Sequence, residues 1–361
     1  MASSIYIDRL DLQQAMNANT PIVITKNESS IPYFVYIVGE STSRNHMSLY
    51  GYDLETSPLL SKRKDIYIFD DVISPHANTT AVLKKLFCFY DYESSGSWYD
   101  YQTLFNILNA AGYYTCWLSN HERRPGWDPR TVYSSQCAYR DFTDKFKGSQ
   151  YHSDTYDEKL LPLIDEFLSI KQDKKFLAVE LLGAHVHYYK RYPKEFAKFT
   201  ANDEKDSYKT LTDSQKQTRA EYDNAILYND YVVNEIIKRF EDKNAIIIYA
   251  PDHAAEVYDS MNFTGDGDGM RSAFMIEIPF LVYLSDKFKE SYPDLDLRIK
   301  SSIHRPYMTD DVIHTILDIM GIATPDYDPA KSIINENFDS SRKRIYAGCE
   351  YIKGKGLIAI Q

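Results

Sequence analysis

The chain has 361 residues, 43% hydrophobic and 26% charged, which excludes a disordered protein and suffices for the core of one large α/β domain or two smaller ones. Its formal charge, 41 − 52 = −11, argues against nucleic acid as a partner, because the short basic runs Lys62-Arg-Lys64 and Ser341-Arg-Lys-Arg344 read as solvated turns. No run of about twenty apolar residues is present to span a membrane, and the four scattered cysteines (Cys88, Cys116, Cys137, Cys349) hold no CxxC pair for a structural zinc site.

Residues 1–30 are polar, with Asn17, Asn19 and Asn27, and read as a lead-in or linker to a domain over 31–361. Met1-Ala-Ser-Ser reads as an appended leader, which leaves room for a membrane part ahead of it. Strand-like runs follow at 33–38, 66–70, 113–118, 176–182, 245–250 and 279–284. Helical periodicity lies between them at 80–90, 100–111, 156–171, 214–240 and 308–320. This alternation predicts a doubly wound, mostly parallel sheet flanked by helices. In the longest helix, Ala225, Leu227, Val232, Val233, Ile236 and Ile237 give one side that packs on the sheet. The segments 202–214 and 258–271 read as loops. Gly265-Asp-Gly-Asp-Gly269 in the second lacks the spacing and closing glutamate of a calcium loop. Cys116 and Cys137 are open to two readings, a disulfide or two thiols.

Three apolar runs and one helix start end in residues that bind metals or phosphate. Tyr33–Val38 leads into Gly39-Glu40, Phe176–Leu182 into Gly183-Ala-His185-Val-His187, and Ala245–Ala250 into Pro251-Asp252-His253, while Ser74-Pro-His-Ala-Asn-Thr79 opens a helix. In a parallel α/β sheet the strand ends share one edge, where ligands bind. Glu, Thr, Asp and His gathered there make a pocket suited to zinc. Taken singly, Glu40 is a carboxylate at a helix N-terminus, Asp252-His253 a polar pair, and Thr79 or Thr80 an N-cap. Their occurrence together favours the metal site. A helix N-terminus cradles phosphate, and a divalent metal lowers the pKa of a threonine hydroxyl enough for attack on phosphorus. No GxSxG elbow supports a serine triad instead. His185 and His187 stand where an imidazole holds a second metal, binds phosphate or protonates a departing alkoxide. Asn120-His121 ends the 113–118 run, and its amide either donates to a phosphate oxygen or caps a loop.

Several motifs in order carry a resemblance. They are Val38-Gly-Glu40 with His46-Met-Ser-Leu-Tyr-Gly-Tyr52 and Thr56-Ser-Pro58, then Ser74-Pro-His-Ala-Asn-Thr79 with Leu83-Lys-Lys-Leu86. Trp117-Leu-Ser-Asn120, Gly183-Ala-His185 with Tyr188-Tyr-Lys-Arg-Tyr-Pro193, and Tyr222-Asp-Asn224 with Asn229-Asp-Tyr231 follow. Asp252-His253, Glu277-Ile-Pro279 and Met308-Thr-Asp-Asp311 complete the set. From about Tyr33 to Gly321 the chain resembles the soluble catalytic domain of the bacterial-envelope phosphoethanolamine transferases. These form part of the sulfatase-like branch of the alkaline phosphatase superfamily.

The resemblance implies one zinc ion, with a second left open, held by Glu40, Asp252, His253 and the nucleophile Thr79, with Thr80 as the alternative one residue on. It implies His185 near the phosphate or a second metal, and Asn120, His121, His187, Asp266 and His304 as substrate contacts. Relatives usually carry Gly-His where Gly265-Asp266 stands here. An aspartate can ligate zinc but cannot donate a proton at neutral pH, so His187 or His304 is expected to take that part. The implied donor is phosphatidylethanolamine and the acceptor a surface glycan or lipid, such as lipopolysaccharide core or lipid A. The implied workplace is the periplasmic face of the bacterial inner membrane, reached through a missing N-terminal membrane domain. A phosphoglycerol transferase or phosphodiesterase of the same superfamily, and a metal-free envelope-binding pseudoenzyme, are the rival readings. A sulfatase would need a C/S-x-P-x-R motif, and none is present.

Overall fold

Successive side chains of the run Tyr33–Gly39 enter two different apolar layers. Phe34, Tyr36 and Val38 join one buried cluster, and Val35 and Ile37 join the other. That alternation marks a strand buried on both faces. The computed structural model describes residues 21–122, 128–144 and 156–360; the earlier part of the expected lead-in lies outside them.

The central sheet has seven strands: β1 (Tyr33–Gly39), β2 (Ile66–Phe69), β3 (Tyr114–Glu122), β4 (Tyr139–Asp144), β5 (Lys175–Glu180), β6 (Ala245–Pro251) and β7 (Phe280–Leu284), in the order β2-β7-β6-β1-β5-β3-β4. Neighbours pair in parallel except β7, which is antiparallel to both β6 and β2. The mostly parallel, doubly wound reading holds, and β7 has a physical reason to differ. A parallel neighbour needs a crossover connection. The chain instead returns from β6 through a long loop, 252–279, that stays at the strand ends.

Helices α1 (Thr79–Leu86), α2 (Leu104–Ala110), α3 (Pro129–Gln136), α4 (Leu160–Ser169), α5 (Asp213–Lys238) and α6 (Val312–Met320) cover the sheet. Leu83 and Leu86 of α1, Phe105 of α2, Tyr133 of α3 and Ile316 of α6 pack in the Phe34 layer. Ile164 of α4 and Tyr222, Ile226, Val233 and Ile236 of α5 pack in the Val35 layer. A capping box of Thr212 and Gln215 starts α5 one residue before its expected position.

Several elements escaped the sequence reading, among them helix α3 and the short helices Asp286–Ser291 and Pro293–Ser301. Strand β4 has a polar composition, Tyr-Arg-Asp-Phe-Thr-Asp, and lies at the sheet edge. A small antiparallel sheet, Ile345–Tyr346, Cys349–Ile352 and Gly356–Ala359, closes the chain. All four cysteines are free thiols, which decides between the two readings of Cys116 and Cys137. Among the described residues no helix is long and apolar enough to cross a membrane.

The turn after β1 is fastened by a buried ion network. His46 Nδ1 lies 2.6 Å from Asp223 Oδ1 on α5, and Nε2 lies 3.1 Å from Asp259 Oδ1 on the 252–279 loop. Tyr52 donates to Asp223 at 2.8 Å, and Arg219 pairs with Asp259 at 2.8 Å. Burial opposes a charged imidazole here, but Asp259 and Asp223 outweigh it and raise His46 from 6.5 to about 10. A histidine whose pKa is raised by folding stabilises the fold fully below pH 6.5 and loses that contribution as pH rises through about 10. Between those limits the wild type should lose stability to urea more steeply than His46→Gln; parallel curves would remove His46 from this role.

Candidate metal centre and active site

Backbone contacts draw the carboxyl ends of β1, β5 and β6 into one corner. Leu181 N donates to Val38 O (2.9 Å), Asp252 N to Gly39 O (3.0 Å) and Ala184 N to Glu40 O (3.0 Å). The packing tolerates no side chain at Gly183. A Cβ there would lie 2.7 Å from Glu40 O, on a backbone whose φ is +50°. Ser41 also adopts a left-handed φ, 53°, and its hydroxyl donates to Glu40 Oε1 at 2.7 Å.

In that corner one ligand atom each from Glu40, Asp252 and His253 falls within 4.8 Å of the others, all three residues being buried. Asp252 Oδ1 accepts from Ser41 N (3.2 Å) and His253 N (2.7 Å), while Oδ2 is buried without a hydrogen-bond partner. His253 Nδ1 lies 2.8 Å from the carbonyl of Ala254. A carbonyl only accepts, so Nδ1 carries a proton and Nε2 is the ring nitrogen that faces the cluster, where a cation would take the place of its proton. Nε2 lies 3.5 Å from Glu40 Oε1, 3.4 Å from Asp252 Oδ2 and 3.8 Å from Asp266 Oδ2.

The electrostatics ask for a cation. Burial raises the Glu40 carboxyl, but the neighbouring His253 and, from farther off, Arg130 help to outweigh it and lower the group to about 2. Burial and the Glu40 charge together raise Asp252 to about 7. Burial opposes charge on His253, yet Asp252, Glu40 and Asp266 raise it to about 9. The corner holds more negative charge than its own histidine can balance. A buried carboxylate oxygen without a hydrogen bond, a second carboxylate and an imidazole nitrogen facing both are the donor set of a divalent ion such as zinc.

Thr79 reaches the same point from α1. Asn78 caps the helix by accepting from Ala81 N at 3.1 Å, which leaves Thr79 as the first helical residue. Its Oγ1 lies 3.1 and 3.3 Å from the Glu40 oxygens and 3.2 Å from His253 Nε2. Thr80 forms no hydrogen bond to these groups among the described residues.

The other candidate residues are spread more widely. His121 is buried, with Nε2 2.9 Å from Leu181 O and 3.8 Å from Glu40 Oε2. The ring of His185 stands 6.3 Å from that of His121, its Nδ1 is buried without a partner, and burial lowers it to about 4. Asp266 faces His253, with its side chain 26% exposed. Asn120 is fully buried, donating to Asp157 Oδ1 at 2.8 Å and accepting from Thr143. It therefore supports the loop after β5, because Asp157 also accepts from Leu182 N and Gly183 N. Neither substitute for the missing histidine joins the cluster. His187 is exposed beside Tyr189, and His304 is 77% exposed and paired with Asp70 at 2.7 Å.

Sequence reasoning missed Ser41, Asp157 and the buried pair of Arg130 with Glu180, whose roles depend on turns with no local pattern. Arg130, at the start of α3, contributes charge that keeps Glu40 ionised.

A sheet with its ligand corner on the carboxyl edge, and a hydroxyl delivered there by a helix start, is the arrangement of the alkaline phosphatase/sulfatase-like folds. The sulfatase family model matches residues 32–322, and the chain belongs to that family. It is 31% identical over 340 residues to the phosphoethanolamine transferase EptC of Escherichia coli O18:K1:H7, covering 91% of this chain and 58% of that one. It is 33% identical over 325 residues to the phosphoethanolamine transferase CptA of Salmonella typhimurium, covering 86% of this chain and 54% of that one. The resemblance read from the motifs is thus borne out, and the chain spans a little over half the length of these relatives. Among solved structures, the C-terminal periplasmic domain of Escherichia coli EptC, determined in complex with zinc, is 29% identical with a TM-score of 0.84, covering 94% of this chain and 96% of that one. A phosphonate monoester hydrolase of Agrobacterium radiobacter, 13% identical with a TM-score of 0.62 over 81% of this chain and 74% of that one, shares the fold.

Gly183→Ala tests the corner directly. Its methyl group would clash with the Glu40 carbonyl on a left-handed backbone, a strain of about 1–3 kcal/mol. We expect a lower thermal midpoint for Gly183→Ala than for the wild type; an unchanged midpoint would mean that the corner tolerates displacement of Glu40.

Proposed function

We propose that this chain is the catalytic part of a zinc-dependent transferase that moves phosphoethanolamine from phosphatidylethanolamine to a surface glycan or lipid. The observation that carries the reading is Thr79 Oγ1, at a helix start, within 3.3 Å of both Glu40 oxygens and His253 Nε2. Relatives named phosphoethanolamine transferases and a zinc complex of a similar domain support it.

Glu40, Asp252, His253 and Thr79 are the residues that would hold the zinc. Bound there, zinc supplies Lewis-acid charge that lowers the pKa of the threonine hydroxyl. Thr79 Oγ1 attacks the donor's phosphorus, the bond from phosphorus to the diacylglycerol oxygen breaks, and a phosphoethanolamine-threonine ester remains. The proton lost by Thr79 is regained by the diacylglycerol oxygen. An acceptor hydroxyl or phosphate oxygen then attacks the ester, the bond from phosphorus to Oγ1 breaks, and Oγ1 takes up the proton an acceptor hydroxyl loses, which restores Thr79. The N-terminal end of α1 favours the negative charge passing through both steps. His185, neutral and next to His121, would hydrogen-bond a phosphate oxygen.

The same reading makes 1–30 a linker and 31–361 the catalytic domain. The membrane attachment, facing the periplasm, would lie in a part beyond this chain; the span of a little over half of the relatives supports that. Incubation with phosphatidylethanolamine should add one phosphoethanolamine to the intact mass of the zinc-loaded wild type. The adduct should be absent from Thr79→Ala, and zinc should be lost from Glu40→Ala. Adduct formation from phosphatidylglycerol alone would favour the phosphoglycerol rival, and an undiminished adduct in Thr79→Ala would rule out this nucleophile.

A further inference from the structure

The long loop between β6 and β7 touches the nucleophile's approach as well as the metal corner. Gly267, at φ +149°, separates two aspartates that serve different neighbours. Asp266 Oδ2 faces His253 Nε2 at 3.8 Å. Asp268 turns instead to the segment Ser74–Asn78 that leads into Thr79. Its Oδ1 accepts from Ala77 N at 2.7 Å, and its Oδ2 pairs with His76 Nδ1 at 2.9 Å. Within the turn, Ser74 Oγ donates to His76 O at 2.8 Å, and Ser74 N donates to Ile276 O at 2.9 Å. Among the described residues, Asp268 is the one side chain from outside the turn that bonds to it.

The loop is itself braced from behind. Tyr346 OH donates to Met270 O at 2.9 Å and reaches Gly267 O at 3.4 Å. Tyr346 and Tyr351 pack with Ala77, Met275 and Ile276 in one buried cluster. This brace belongs to the closing sheet at 345–359, beyond the residues 32–322 that match the sulfatase family.

We propose that Asp268 is a positioning residue for Thr79, clasping the turn at His76 and Ala77 with Tyr346 as its support. The proposal rests on the reading of Thr79 as nucleophile. A reacting oxygen displaced by about 1 Å can cost on the order of 100-fold in rate. The carboxylate bonds an amide two residues ahead of that oxygen, and Ala77 is fully buried, so the clasp fixes the turn's height above the corner.

The zinc-loaded chain is the material for the test. In Asp268→Ala, adduct formation from phosphatidylethanolamine should slow by about tenfold or more, with the apparent KM for the donor and the zinc stoichiometry unchanged. Asp268→Asn keeps an oxygen acceptor for the Ala77 amide and should recover most of the rate. A wild-type rate in Asp268→Ala, or a rate that falls only in step with lost zinc, overturns the proposal. Hydrogen exchange at the Ala77 amide gives a readout that needs no turnover. It should quicken in Asp268→Ala while β1 and β6 stay protected, and unchanged exchange would also overturn the clasp. If the wild type forms no adduct, the transfer reading fails on that result, and the exchange measurement alone decides the clasp.

Discussion

The structure depends on three strand ends meeting so closely that their carboxylates cannot avoid one another. Glu40 and Asp252 leave adjacent parallel strands, and the bond from Asp252 N to Gly39 O ties the two exits together. Parallel pairing sets the directions, and glycine at 39 and 183 permits the approach, since a Cβ on either would press on a neighbour within about 3 Å. What results is a buried surplus of negative charge. Such a surplus is costly in a low-dielectric interior unless a proton or a metal ion balances it. The fold thereby sets its own demand for a cation.

The remaining buried charges are arranged to leave that surplus in place. Arg130 pairs with Glu180 and Asp128 behind the corner, so its charge acts on Glu40 from a distance without neutralising it by contact. His46 and Arg219 answer Asp223, Asp259 and Glu204 in a separate network. Pairs of this kind add little net stability, although removing one partner is damaging. Their consequence here is geometric, since they fasten the turn after β1 and the loop after β6 to α5. The two apolar layers pack the sheet from both faces beneath them.

The corner was legible in the sequence because its residues sit directly after apolar runs. Glu40 follows Tyr33–Val38 and Asp252-His253 follow Ala245–Pro251, and a strand's direction carries such residues to one edge. Thr79 was legible for a related reason, as a hydroxyl next to a recognisable helix cap. Strand β4 was hidden because an edge strand needs little apolar content, and the closing sheet because its short strands pack mainly on a loop. Asn120, at a strand end, was open to two readings, a phosphate donor or a loop cap. Its amide is turned inward by Asp157, a residue brought near by a connection that no spacing rule encodes. Placement along a strand is local information, whereas the direction of a polar side chain depends on partners distant in sequence.

Asp266 shows how one such placement changes the chemistry available. Where an imidazole could hold or deliver a proton, a carboxylate 3.8 Å from His253 Nε2 adds a further negative charge, and burial raises its pKa. That strengthens the hold on a cation and works against an anionic phosphate entering from the same side. His187 and His304 lie elsewhere and are engaged with Tyr189 and Asp70. His185 differs from both, since its Nδ1 is buried without a partner beside His121. A neutral imidazole with an unspent ring nitrogen can donate to phosphate without adding charge to the corner. On the reading of Thr79 as nucleophile, Asp266 would serve the cation and His185 the phosphate.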